Sequence, residues 1–421
     1  MNIKVPYGKG YQEAVVDDSL SVQIVDPVCE KVTATPAELI EKALDNPIGT
    51  PRLETMVTPE DHIIIIVNDH TRPGPNAQIV DAIMKRLDKA GLPRDNVQFV
   101  IATGSHRAST PAELDTILGE QYSRTMKVHL HDCQDGDHVY MGECSYGMPI
   151  WVDRRVAEAS FIITTGLIAP HHAAGFSGGR KSIVPGVAGI ETLHIHHSLP
   201  IRQYEPAMGF FEENPFHLAA LEAAKKVNVR FIVNVVQDTV KQNVDCVAGD
   251  LSAAHEAGVA ICRAHNTVRV SGLADVVVTS PGGSPRDCNL YQAQKALSVA
   301  EVFGRKGACT FILCARAEDG IGEGLFQQWL TEANDPQEVV DRFRKEGYNV
   351  GNNKAFMYAR AMLKGRVIIV SDQVDPKVLK EMMLDSAPTL QEALDRVIAE
   401  KRPEKIIVLP KAVSLIPKVT E

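Results

Sequence analysis

The chain has 421 residues, 44% of them hydrophobic and 23% charged, and a formal net charge of −9 at pH 7. That length predicts two or three domains with ample core. The negative balance leaves no basic face to neutralise phosphates, which excludes a general nucleic-acid binder. The opening MNIKVPYGKG has no signal-peptide apolar run, and no stretch is long and apolar enough for a bilayer. Cysteines stand at 29, 133, 144, 246, 262, 288, 309 and 314 without CxxC spacing, so neither a disulfide framework nor a zinc–cysteine site is expected. A cytoplasmic protein without membrane contact is the expectation.

Taken in chain order, the first apolar run, His62–Val67, reads as a buried strand. It ends in Asn68-Asp69-His70-Thr71-Arg72-Pro73, which puts Asp69 and Arg72 at the strand's carboxyl end. Arg72 could hold a carboxylate or phosphate by a paired hydrogen bond, or merely pair with Asp69 at a turn. A helix is predicted over Asn76–Ala90, then a strand over Val97–Ala102 followed by Thr103-Gly104-Ser105-His106-Arg107. His106 is a candidate general base. A further helix, Pro111–Leu118, precedes the strand Ser160–Thr165.

The densest stretch follows, Gly166 to Gly186, reading GLIAPHHAAGFSGGRKSIVPG. It carries His171, His172, Arg180 and Lys181 among Gly175, Gly178 and Gly179, which permit φ > 0 and close backbone approach. GFSGGRKS imitates a phosphate-binding G-x-x-x-x-G-K-[ST] loop but has Arg180 where the second glycine belongs, so an NTPase is not expected. Phosphate could still meet backbone N–H groups, Arg180 and Lys181. The like charge of Arg180 should disfavour the Lys181 ammonium and favour a nucleophilic amine. His194-x-His196-His197 comes next, a spacing that suits zinc, nickel or copper.

Helices at His217–Lys226 and Ala253–Ala264 flank a strand at Phe231–Val236, and Asn266–Gly272 reads as a polar domain boundary. The strand Asp275–Thr279 then ends in Ser-Pro-Gly-Gly-Ser-Pro and opens a helix over Cys288–Val302. Tyr291 and Lys295 share a face of that helix, with Gln292 beside them. Strands at Thr310–Leu313, Arg366–Val370 and Lys405–Leu409 alternate with helices at Pro336–Glu346 and Leu390–Glu400. Apolar strands separated by helices indicate an α/β protein with two lobes, largely parallel sheets and a central cleft. The expected division is 1–266 for the N-terminal lobe and 273–410 for the C-terminal lobe, with a tail at 411–421 free to return to the N-terminal lobe.

Together and in this order, NDHTRP, ATGSHR, APHHAAGFSGGRKSIVPGVAG, HxHH and the Tyr291–Lys295 helix resemble the nickel-dependent lactate racemase family over most of the chain. The resemblance implies a nickel pincer nucleotide, a pyridinium mononucleotide whose two thiocarbonyl-type arms and ring carbon bind nickel together with one histidine. It implies that Lys181 tethers this cofactor and that His197 is the nickel ligand. His106 and His171 would be the paired acid/base residues. Arg72, Tyr291, Gln292 and Lys295 would hold the substrate, while Asp69, Gly178, Gly179 and Arg180 would help to place the cofactor. The activity implied is inversion at C2 of a 2-hydroxy acid, lactate-like, malate-like or a sugar acid such as gluconate, with cofactor-making and nickel-inserting enzymes as partners.

The chemistry asks for the same parts. Hydrogen at C2 of a 2-hydroxy acid is barely acidic, so removal as hydride to a cofactor is easier than proton abstraction. A base on each side of the resulting planar 2-oxo acid and a cation for the carboxylate complete the set. Two other readings are a zinc-dependent hydrolase or lyase built on His194, His196 and His197, and a protein that stores or delivers the cofactor. Gly351-Asn352-Asn353-Lys354-Ala355-Phe356 supplies polar side chains suited to a longer or more hydroxylated acid.

Overall fold

The computed structural model describes residues 1–25 and 32–421, so Cys29 lies outside the described residues. The chain forms two compact units. The N-terminal lobe comprises Cys29–Gln203 and Phe210–His265; the C-terminal lobe comprises Met1–Val28, Tyr204–Gly209 and Asn266–Glu421. Among the described residues no helix is long and apolar enough to cross a membrane.

The N-terminal lobe is built on a six-stranded sheet in the order Asn243–Gly249, Val229–Gln237, Phe161–Ile168, Ile63–Asn68, Val97–Ala102, Lys127–Leu130. Its pairings are parallel except where Asn243–Gly249 runs antiparallel to Val229–Gln237. The run Ile63-Ile64-Ile65-Ile66-Val67 is buried throughout because both faces of the sheet are covered. Ile63, Ile65 and Val67 enter one apolar cluster, Ile64 and Ile66 another. Beginning with the central strand Ile63–Asn68, the chain adds strands first on one side and then on the other. The carboxyl ends of the central strands therefore face the switch point at which open sheets bind ligands.

The C-terminal lobe has its own six-stranded sheet, parallel throughout, ordered Asp385–Ala387, Gly365–Val370, Cys309–Cys314, Val276–Thr279, Lys405–Leu409, Ser21–Ile24. The helix Leu290–Phe303 follows the central strand Val276–Thr279, and Asn289 caps it by accepting from the Gln292 N–H at 2.9 Å.

Fold class and all eight expected strands agree with the structure, and the lobes meet in sequence at His265/Asn266, as expected; the ends of the chain are placed differently. The N-terminal residues belong to the C-terminal lobe. Ile3, Val5, Tyr7 and Ala14 of the hairpin Asn2–Tyr7/Gly10–Val15, with Val16 just after it, pack with Val276, Val278, Val408 and Ile406. Ser21–Ile24 covers what would otherwise be the open edge of Lys405–Leu409. The tail stays in the same lobe, since Ile416–Thr420 pairs parallel with Thr267–Ser271.

Candidate active site

Two groups of side chains stand on the carboxyl-terminal ends of the N-terminal sheet. In the first, Asp69 follows the strand Ile63–Asn68 and His106 follows Val97–Ala102, which are hydrogen-bonded neighbours. The His106 Nδ1–H donates to Asp69 Oδ2 at 2.8 Å, which leaves a lone pair on Nε2. Asp69 is 2% exposed and also accepts from the Thr71 hydroxyl at 2.7 Å. Burial alone would raise its carboxyl, but the His106 hydrogen bond and charge, with Thr71 and Arg72, hold it below the usual carboxylate range. Crowding lowers the Arg72 guanidinium, partly offset by Asp69.

The second group converges on Phe216, a fully buried ring in the helix Pro215–Lys226. Ring centroids of His171, His196 and His197 lie 6.5, 3.7 and 5.0 Å from it, and Lys181 Nζ lies 5.4 Å from its centre. An aromatic floor of this kind offers contact area without a counter-charge. Desolvation, then the charges of Arg180 and Arg72, push Lys181 well below the ordinary lysine value. That direction favours the nucleophilic amine. Desolvation and the charges of Lys181, His172 and Arg72 likewise keep His171 neutral well below 6.5.

Hydrogen bonds decide which nitrogen each histidine presents. His171 Nδ1 accepts from the N–H groups of Ala173 and Ala174 at 3.2 and 3.1 Å, so its neutral ring carries the proton on Nε2. His197 Nδ1 donates to the Leu193 carbonyl at 3.2 Å, the arrangement that frees Nε2 as a metal ligand. His106 thus presents a lone pair and His171 a proton.

The histidine trio does not assemble a metal site. Positions 194, 196 and 197 do not share one face of a helical turn. His196 is fully buried, with Nε2 donating to the Phe216 carbonyl at 2.8 Å. Among the described residues no group of three or more His, Cys, Asp or Glu side chains could hold a metal ion. The zinc hydrolase reading is therefore set aside. A metal at His197 must bring its other ligands with it, which is what a pincer nucleotide does. The nucleophilic Lys181 amine beside that imidazole suits covalent attachment of such a group.

The glycines and Arg180 serve the loop's own packing. A Cβ on Gly178, at φ +83°, would lie 2.7 Å from Ile168 and 2.8 Å from Asn234 Oδ1; one on Gly179 would lie 2.9 Å from the His255 ring. The Gly179 N–H is taken by Asn234 Oδ1 at 2.7 Å, an acceptor that the sequence reading missed. Arg180, 1% exposed, donates to the carbonyls of Gly178 and Ala174 at 3.1 and 2.9 Å and meets His255 Nε2 at 3.1 Å. Its guanidinium thus braces the loop from inside, unlike the phosphate contact expected of it. Asn214 adds a second strut, donating to the Ala173 carbonyl at 2.8 Å.

In the C-terminal lobe, Tyr291, Gln292 and Lys295 lie in the first two turns of Leu290–Phe303, and Lys295 Nζ donates to Gln292 Oε1 at 2.8 Å. Lys354 joins them on the ring of Tyr291, with Nζ 5.5 Å from its centre.

Comparison with known proteins decides the family. The lactate racemase N-terminal domain matches residues 7–209 and the lactate racemase C-terminal domain matches residues 270–417. The chain belongs to the lactate racemase family. It is 34% identical to the lactate racemase of Thermoanaerobacterium thermosaccharolyticum over 425 residues, covering 99% of each chain. It is 33% identical to that of Lactiplantibacillus plantarum over 428 residues, again 99% of each. The structure of the T. thermosaccharolyticum lactate racemase apoprotein superposes with a TM-score of 0.90 and 32% identity, over 99% of this chain and 100% of that one. A Thermotoga maritima protein shares the fold alone, with a TM-score of 0.64 and 16% identity over 91% of this chain and 97% of that one. As a member of this family the protein is an isomerase.

Proposed function

We propose that this racemase family member inverts C2 of a 2-hydroxy acid in the cytoplasm, with a nickel pincer nucleotide attached at Lys181. The observation that carries the reading is the grouping of the Lys181 amine, His171 and His197 around Phe216. His197 would hold the nickel through Nε2, and cofactor-making and nickel-inserting enzymes would supply the group. When bound, the pincer would supply the reversible hydride acceptor that no side chain provides.

This chain's own residues do the remainder. His106 Nε2 takes the hydroxyl proton of one enantiomer while Asp69 steadies the resulting imidazolium. His171, the acid/base residue of the opposite side, meets the oxygen through its Nε2–H when the other enantiomer forms, and the proton taken by His106 returns to that oxygen by exchange with solvent, so that both rings end neutral. In the N-terminal lobe Arg72 is the cation for the substrate carboxylate, and in the C-terminal lobe Tyr291, Gln292 and Lys295 are the proposed substrate-binding residues. With the carboxylate anchored, turning the 2-oxo acid about its C1–C2 bond exposes its second face and moves the carbonyl oxygen from one histidine to the other. That exchange is why two histidines are needed.

The test is to racemise C2-deuterated substrate in ordinary water with cofactor-loaded enzyme. Hydride transfer predicts product that retains deuterium at C2 and a His106→Ala variant slowed by about a thousandfold. Complete wash-out of deuterium from the first product formed would overturn the hydride reading.

A further inference from the structure

Within the N-terminal lobe, Asn214 stands where residues 210–214 lead into the helix Pro215–Lys226, and it is fully buried. Its Oδ1 caps that helix by accepting from the Phe216 N–H at 3.0 Å. Its Nδ2 donates twice, to the Ala173 carbonyl at 2.8 Å and to the Phe210 carbonyl at 3.0 Å. A helix cap needs only the oxygen, and Ser, Thr or Asp supplies one as well. The two donated bonds therefore serve something other than the helix.

What they serve is the peptide they grip. The Ala173 carbonyl and the Ala174 N–H belong to one planar unit and point in opposite directions. Holding that carbonyl toward Asn214 aims the N–H at His171 Nδ1, 3.1 Å away, where the Ala173 N–H adds a second donor at 3.2 Å. The next peptide is held in turn. Arg180 takes the Ala174 carbonyl at 2.9 Å, and Gly175, at φ +74°, leaves no room for a Cβ against the Phe210 carbonyl that Asn214 also grips. With Nδ1 occupied by two donors, the neutral His171 ring must carry its proton on Nε2. A released Ala173–Ala174 peptide could turn over and offer its carbonyl to Nδ1. The proton would then favour Nδ1, and Nε2 would present a lone pair instead.

We infer that Asn214 is a positioning residue for the reaction: it locks the Ala173–Ala174 peptide and thereby fixes the proton of His171 on Nε2. This rests on the assignment of His171 as an acid/base residue in the proposed function, but its first readout needs neither cofactor nor turnover.

The experiment compares the unaltered chain, Asn214→Asp and Asn214→Ser. Both variants keep an oxygen for the Phe216 N–H and lose the amide donors. Nitrogen NMR of cofactor-free, 15N-histidine-labelled protein reads the tautomer, with the His171 signal identified by its loss in His171→Gln. The unaltered chain should show the Nε2–H form alone, and both variants a signal shifted toward the Nδ1–H form. In cofactor-loaded enzyme, kcat for racemisation should fall by about tenfold or more in both, with KM within about threefold, because proton handling rather than substrate binding is lost. Variants that keep His171 wholly in the Nε2–H form would make Asn214 a helix cap and overturn the inference. A shifted tautomer with unchanged kcat would overturn it too. So would an unaltered chain whose His171 carries its proton on Nδ1, a result that needs no variant to fold. Loaded, unaltered enzyme that racemises no 2-hydroxy acid would overturn the proposed function instead, whatever the His171 signal shows.

Discussion

Arg180 and Arg360 are both long cations sealed inside the protein, at 1% and 2% exposure, and the two lobes treat them in opposite ways. In the C-terminal lobe Arg360 Nε meets Glu301 Oε2 at 2.9 Å, its second nitrogen meets the other carboxylate oxygen, and Ser298 Oγ lies at 3.2 Å. Lys364 joins Glu301 at 3.4 Å. The charge is cancelled where it is buried, as structural ion pairs require. In the N-terminal lobe Arg180 rests on two carbonyls and a histidine, and its Nε has no partner among the described residues. Its charge therefore reaches Lys181, His171, His217 and His255, and each of these is pushed toward its neutral form. A cancelled charge builds a lobe, and an uncancelled one tunes a site.

The largest effect that would break this contrast is structural. Arg360→Met leaves Glu301 buried with only Lys364 nearby and should destabilise the C-terminal lobe by about 3–5 kcal/mol. The double variant Arg360→Met/Glu301→Leu should recover most of that loss. Calorimetric melting checks both, and a single variant as stable as the unaltered chain would mean the pair does not support the lobe.

Next in size is the orienting carboxylate. Asp69→Asn keeps the shape but removes the negative acceptor for His106 Nδ1–H, so turnover of loaded enzyme should fall by about a hundredfold with little change in melting temperature. An equal loss of stability would assign Asp69 to the fold.

The lobes should also answer differently to acid. His217 is 5% exposed and held down to about 3, chiefly by burial and then by Arg180 and Lys225; His255 is held well below 6.5 by burial and Arg180. Both stay neutral in the folded lobe while the unfolded chain takes up protons below about 6.5. Stability of the N-terminal lobe is therefore fully present above that value and falls as pH drops through the window toward 3, by at most about 1.4 kcal/mol per unit for each group. Hydrogen exchange resolved by lobe at pH 7 and pH 5 should show the loss in the N-terminal lobe.

The smallest effect sharpens the role of Arg180. Arg180→Met should raise the midpoint for amine labelling of Lys181 in cofactor-free protein, while burial still keeps it below the ordinary lysine value. An unchanged midpoint would leave desolvation as the whole cause.

Much of this was legible in the sequence because it is local. Ile63-Ile64-Ile65-Ile66-Val67 announces a strand covered on both faces, and polar clusters directly after such runs mark the working edge of the sheet. Longer-range features were not. Ser21–Ile24 carries little pattern, and its place beside Lys405–Leu409 depends on an edge supplied by residues nearly 400 positions away. Phe216 looks like any core aromatic until His171, Lys181 and His197 are seen to meet on it. Gly178 and Gly179 could be read as room for a ligand, when the space belongs to Asn234, Ile168 and His255. Lys354 stands out as a polar residue in sequence, but only the packing of its helix against Leu290–Phe303 puts it on Tyr291.

The most direct test of the central claim is the intact mass, with nickel content, of protein co-expressed with the family's cofactor-making enzymes. The account predicts a mass increase of nucleotide size accompanied by nickel, both lost in Lys181→Ala. An unmodified mass without nickel, despite an active cofactor supply, would contradict it.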